Sequence, residues 1–152
     1  MPAWSAILGT FFGCGLSRFA PGTVGSIAAA ALAYAVPGRA YGWAVLLGIA
    51  LTAIFGAAIA RREAARTGFE DPPSFVLDEA LGVWIALWRP SNPGIAIVLP
   101  ALVLFRILDI LKPGPIGTLE RVPRGRGVML DDAAAGLVAG SVVFGLEILV
   151  GR

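Results

Sequence analysis

The chain reads as an all-α protein, a compact multi-pass membrane helical bundle of about five apolar helices with a short N-terminal amphipathic segment. Three observations lead there. Of its 152 residues, 57% are hydrophobic and 14% charged, against about 25% charged in an average soluble domain, and mean hydropathy is +0.82. Proline and glycine cut the apolar sequence into separate blocks. Lys and Arg are shared unequally between the connections, as they are in chains that cross a bilayer.

The elements follow in order. Residues 2–12 form the amphipathic start, and 13–22 a Gly/Pro-rich turn. Block one is the Ala-rich run 23–36. Block two, Trp43 to Ala60, has 18 residues and no charge, roughly 27 Å of helix and close to a hydrocarbon core; it is the one clean spanning helix. Block three, 75–88, carries Asp78-Glu79. Block four, 94–111, includes Arg106 and Asp109, and block five, 133–150, follows Asp131-Asp132. No repeat, low-complexity tract or linker divides residues 1–152, so one domain is expected. The first basic residue, Arg18, follows the first apolar run, which is not the order of a signal peptide. The single Cys14 excludes an internal disulfide.

If the segment 61–74 is cytoplasmic and the five blocks alternate, nine basic residues fall on that side. Only Arg39, Arg89 and Arg152 fall opposite, in keeping with the positive-inside rule. Blocks one, three and five then begin at the cytoplasmic face and block four ends there. Both acidic doublets, the Arg106/Asp109 pair and the turn before Thr23 would meet at one membrane surface. The dispersed basic residues fit an anionic membrane and not nucleic acid.

Carboxylates at the mouths of apolar helices are costly unless they bind something. With no histidine and one cysteine in the chain, the fitting ligand is a hard cation such as Mg²⁺, which takes oxygen donors and shares them with phosphate. The competing structural explanation is that acids in a first helical turn complement the macrodipole. Asp78 and Glu79 lie about 100° apart on a helix, so one would ligate metal while the other orients water or a partner. Arg106, Asp109 and Lys112 recur every three residues and share a helix face, as an ordinary ion-pair stripe or as cations that hold phosphoryl oxygens beside a metal-holding Asp109. The stretch containing Pro21, Gly22, Thr23, Gly25 and Ser26 leads into a helix whose free N–H groups attract anions, although such turns are most often just turns. Gly82, Gly136 and Gly140 suit close helix packing.

Other chemistries lose their residues. A Cys-dependent phosphatase loop places five residues between its Cys and Arg, whereas Cys14 and Arg18 have three between them. No histidine is present as a phosphoryl nucleophile, as a zinc ligand or as a member of a Ser/His/Asp triad. A Walker ending is absent.

The runs GLSRFAPGTVGS, VLDEALGVWIAL, LFRILDILKPGPI and GVMLDDAAAGLVAG, in this order, closely resemble the phosphatidylglycerophosphatase A family of bacteria. The resemblance covers about residues 13–140. It implies a Mg²⁺-dependent, multi-pass inner-membrane phosphatase that converts phosphatidylglycerophosphate to phosphatidylglycerol. Matched residue by residue, the family's acidic positions fall on Asp78, Glu79, Asp109, Asp131 and Asp132, its basic positions on Arg106 and Lys112, and its turn on Pro21, Gly22, Thr23, Gly25 and Ser26. Some relatives carry histidine before the last doublet, where this chain has residues 120–127 and no histidine; Arg124 and Arg126 would there meet lipid headgroups.

The expectation is therefore that all five acids organise one or two Mg²⁺ ions at the cytoplasmic face. Asp78, Glu79, Asp109 and Asp132 would serve catalysis. Arg106, Lys112, Thr23, Ser26, Gly22 and Gly25 would bind the substrate phosphate. Water and a carboxylate both stay open as nucleophile. The rival is a small transporter or channel component whose carboxylates carry protons or cations, and a third reading is a soluble helical domain.

Overall fold

A computed structural model describes residues 3–123 and 125–151; Arg124 and Arg152, used above, lie outside the described residues. Seven α-helices and no strand are present among them: α1 (Ala3–Gly9), α2 (Pro21–Tyr34), α3 (Ala40–Thr67), α4 (Leu77–Leu87), α5 (Ile95–Leu111), α6 (Pro115–Leu119) and α7 (Gly127–Leu149), with a 3-10 turn at Cys14–Leu16. The five apolar blocks correspond to α2, α3, α4, α5 and α7. Among the described residues only α3 and α7, with 28 and 23 residues, are long and apolar enough to cross a membrane. Helix α4 has 11 residues, about 16 Å.

That short helix is the core. It packs against α2, α3, α5 and α7, and of its residues only Glu79 and Ile85 are not fully buried. Trp84 at its centre donates from Nε1 to the Ala29 carbonyl at 3.0 Å, so its one polar atom is satisfied inside the bundle. The surrounding helices turn large apolar side chains outward, among them Leu47, Ile54, Val103, Ile110 and Leu137, as a bundle does whose solvent is lipid.

Small residues set how closely α4 and α7 approach. A Cβ on Gly136 would run into the Gly82 carbonyl, one on Gly82 would meet Phe105 and lie 2.7 Å from the Asp132 carbonyl, and one on Gly140 would lie 3.1 Å from Ala86. The backbone of α7 at Asp132 is thereby pressed onto α4 one turn beyond Asp78.

Two helix boundaries differ from the apolar blocks. Helix α3 runs on through Arg61, Arg62, Glu63 and Arg66 to a glycine cap at Gly68, φ 80°, because Ala, Arg and Glu are strong helix formers whatever their hydropathy. Helix α7 begins at Gly127, so Asp131-Asp132 sit past its first turn, where no acid is found. The macrodipole, which fades within the first turn, does not account for them.

The end of the bundle away from the acids is closed by polar ties. Tyr41 donates to the Leu87 carbonyl at 2.8 Å, Asn92 to the carbonyls of Tyr34 and Val36 at 2.8 and 3.0 Å, and Arg89 pairs with Glu147 at 2.9 Å. Arg89→Ala leaves Glu147 without its cation in a half-buried place. We expect a loss of up to about 3 kcal/mol, read as a lower Tm in detergent with kcat unchanged.

Candidate metal and phosphate site

Four helix ends meet at the opposite pole. Asp78 and Glu79 stand in the first turn of α4, Asp132 in the second turn of α7, Arg106 and Asp109 in the last two turns of α5, and Gly22 to Ser26 in the opening turns of α2. The entrance to α2 is strained: Ala20 before Pro21 has φ 43°, and Lys112 after α5 has φ 44°. Left-handed conformations of non-glycine residues cost about 1–2 kcal/mol each, and here they flank the polar cluster.

The carboxylates of Asp78, Glu79 and Asp132 each offer an oxygen within 4.8 Å of the others. Neighbours 100° apart on α4 thus reach one point, because Glu79 is long enough to fold toward the shorter Asp78, whose Oδ1 accepts the Glu79 N–H at 3.0 Å. Asp78 and Asp132 are buried at 7% and 3% exposure. Glu79 Oε2 and Asp132 Oδ2 are buried with no hydrogen-bond partner among the described residues. Close, buried, like-charged and partly unpartnered oxygens are the donor set a hard divalent cation takes.

The other two acids are held by cations. Asp109 accepts a charge-assisted hydrogen bond from Arg106 Nη1 at 2.5 Å and acts electrostatically on Asp132 and Glu79 across the same space. Asp131 pairs with Lys112 Nζ at 2.6 Å, and Glu120 takes the same ammonium at 2.8 Å. Burial lowers the Lys112 pKa, but its bonds to Asp131 and Glu120 outweigh that and hold it above the usual lysine range. Five acids of one sequence pattern divide into a convergent trio and two ion-paired members.

Arg106 ties the trio to α2. Its Nη1 lies 3.8 Å from Glu79 and 3.5 Å from the Ser26 Oγ, to which it donates, while its buried Nε has no partner among the described residues. Ser26 in turn donates to the Gly22 carbonyl at 2.8 Å. A Cβ on Gly22 would overlap Glu79 Oε1 and lie 3.2 Å from Arg106 Nη2. A side chain at position 22 would displace the Glu79 carboxylate from its place beside Arg106. Gly25 serves packing, since a Cβ there would meet Val76 at 2.8 Å, and Thr23 is half-buried beside them.

One polar residue near the site was not singled out from sequence. Asp71, between α3 and α4, is exposed and lies within electrostatic reach of Lys112, which favours its charged form, and of Glu120, Asp131 and Asp109, which oppose it. It lines a cleft of about 290 Å³ with Glu70, Glu120 and Arg121. Its Asp-Pro-Pro setting resembles any loop, so nothing in periodicity points to it.

The family model for Phosphatidylglycerophosphatase A matches residues 7–147. The chain is 37% identical over 142 residues to a protein of Escherichia coli named phosphatidylglycerophosphatase A, covering 91% of this chain and 80% of that one. Its namesake from Haemophilus influenzae is 36% identical, with 93% and 87% covered. A Bacteroides thetaiotaomicron protein named putative phosphatidylinositol-3-phosphatase is 39% identical, with 86% of each covered. No solved structure matches. A match across nearly the whole chain, on a pole where three carboxylates face an arginine, leaves the transporter reading without support: the chain belongs to the phosphatidylglycerophosphatase A family of phosphatases.

Proposed function

We propose that this protein hydrolyses the terminal phosphomonoester of phosphatidylglycerophosphate to give phosphatidylglycerol, with Mg²⁺, as a multi-pass protein of the bacterial inner membrane whose site faces the cytoplasm. The observation that carries the reading is the convergence of Asp78, Glu79 and Asp132, with two buried unpartnered oxygens, beside Arg106. The family match supplies the reaction class, and the names of two relatives supply the substrate. The excess of Lys and Arg on the site's side of the chain supports the cytoplasmic orientation.

Asp78, Glu79 and Asp132 would hold Mg²⁺, which supplies charge neutralisation at the phosphoryl oxygens. Arg106 binds the phosphate from the α2 side through its free guanidinium face, kept in place by Asp109 and Ser26. The α2 N–H groups at Gly22 and Thr23 add donors at a helix N-terminus. Asp109, oriented by Arg106, accepts a proton from the attacking water. As the water oxygen bonds to phosphorus, the phosphorus–oxygen bond to glycerol breaks, and the leaving oxygen takes a proton from solvent while Asp109 returns its own. Lys112, already bound to Asp131 and Glu120, fixes the connection after α5 and lends its charge at the rim.

The test is phosphate release by detergent-purified protein from phosphatidylglycerophosphate, with Mg²⁺ and with chelator, beside Asp109→Asn. Release that needs both the ion and Asp109 is expected. Equal rates in chelator would remove the metal, and near-normal turnover by the variant would remove Asp109. Phosphatidylinositol 3-phosphate belongs in the same series, because a relative of equal similarity carries that name; faster turnover of it would transfer the assignment to that headgroup.

A further inference from the structure

Helices α1 and α3 enclose a groove of about 470 Å³ whose walls are almost wholly apolar, formed by Trp4, Leu8, Phe55, Ile59 and Leu77 with Arg62 among them. Its α3 wall runs from Leu51 through Phe55 and Ala58 to Arg62. Eleven steps along a helix make about 16 Å, so the groove is long, narrow and parallel to a candidate membrane span. Its one charged lining residue stands at one end, and that end is the site's.

The groove is fixed to the site by three contacts. Leu77, in its wall, directly precedes Asp78. The Val76 N–H donates to the Gly9 carbonyl at 2.9 Å, tying α1 to the segment that starts α4. A Cβ on Gly9 would lie 3.0 Å from Glu63 and 3.1 Å from Phe75, so α1 has no slack against α3. Arg62 lies over the Trp4 ring at 4.7 Å. Among the described residues no carboxylate pairs with it, whereas Glu63 beside it is taken by Arg66.

An apolar groove running along a candidate membrane span, with a single cation free of carboxylates among the described residues at the site's end, has the charge pattern of one phospholipid chain. We infer that this groove holds an acyl chain of the lipid substrate, with Arg62 against the phosphodiester that joins its glycerol units. The inference rests on the lipid-phosphatase reading above and extends it: chain recognition is built into α1 and α3, and the N-terminal helix is a wall of the substrate site. A guanidinium stacked on an aromatic ring keeps its edge free for phosphate oxygens.

The test fills the groove from its exposed side. Ala58→Trp is expected to raise KM for long-chain phosphatidylglycerophosphate about tenfold, the equivalent of roughly two lost methylene contacts. KM for the dibutanoyl analogue and kcat for both are expected to hold. An equal KM change on both substrates, or none on either, overturns the groove. Ala58→Leu provides a milder filling should the tryptophan variant fold poorly. Independently, a phospholipid carrying a diazirine at mid-chain is expected to label the wild-type peptides that contain Phe55 and Leu77, and excess substrate to suppress the label; label spread evenly over outward-facing helices overturns it. Wild-type protein that releases no phosphate would defeat the functional reading alone, because the labelling needs no turnover.

Discussion

Asp132→Asn is expected to lower kcat by about 10³, the scale seen when one electrostatic element is removed from a preorganised site, and at the same time to stabilise the protein in chelator. The two effects share a cause. Without a cation, Asp78, Glu79 and Asp132 crowd like charges in a buried space, a repulsion the neutral amide relieves at unchanged volume. With Mg²⁺ the order reverses, since a ligand that binds only the folded wild type raises its stability by mass action. Thermal unfolding in detergent, with and without the ion, reads this directly: wild-type Tm should rise on adding Mg²⁺ and the variant's should not. A variant that gains as much from Mg²⁺ as wild type would take Asp132 out of the metal site.

Gly136→Ala should damage the fold more than the same change at Gly140 or Gly145 further along α7. Its Cβ overlaps the Gly82 carbonyl, which is backbone and cannot step aside, so α4 and α7 must separate. Overpacking of this kind costs about 1–3 kcal/mol, about 3–10 °C in Tm for a chain of this length. Activity should fall further than stability, because the same separation draws Asp132 away from Asp78. Gly145→Ala on the same helix is the control: nothing lies within 4 Å of its Cβ, and replacing helical glycine by alanine stabilises by up to about 1 kcal/mol. Similar Tm values for the two variants would contradict the close α4–α7 contact.

The helical class and the gathering of charge at one pole were legible because both rest on periodicity and on where charge interrupts apolar runs. The family resemblance, carried by four ordered runs, agrees with the family match over residues 7–147. What was not legible depended on distances. Sequence could not divide the five acids, since Asp131 resembles Asp132 until Lys112 is seen to take one and not the other. Block lengths marked apolar runs, yet α3 continues through three arginines that hydropathy excludes and α7 starts four residues before its acids. The centrality of α4 was hidden too, because a short run of 11 residues looks like the least of the five until four neighbours close around it.

That brevity governs how the protein can be assembled. A segment of about 16 Å with two carboxylates at its start cannot hold itself across some 30 Å of hydrocarbon, while α3 and α7 can. Helix α4 is held by the helices packed around it, and the acids it brings reach their partners only once those helices are in place. The candidate site is therefore complete only when the longest helices have met, and its assembly waits on theirs.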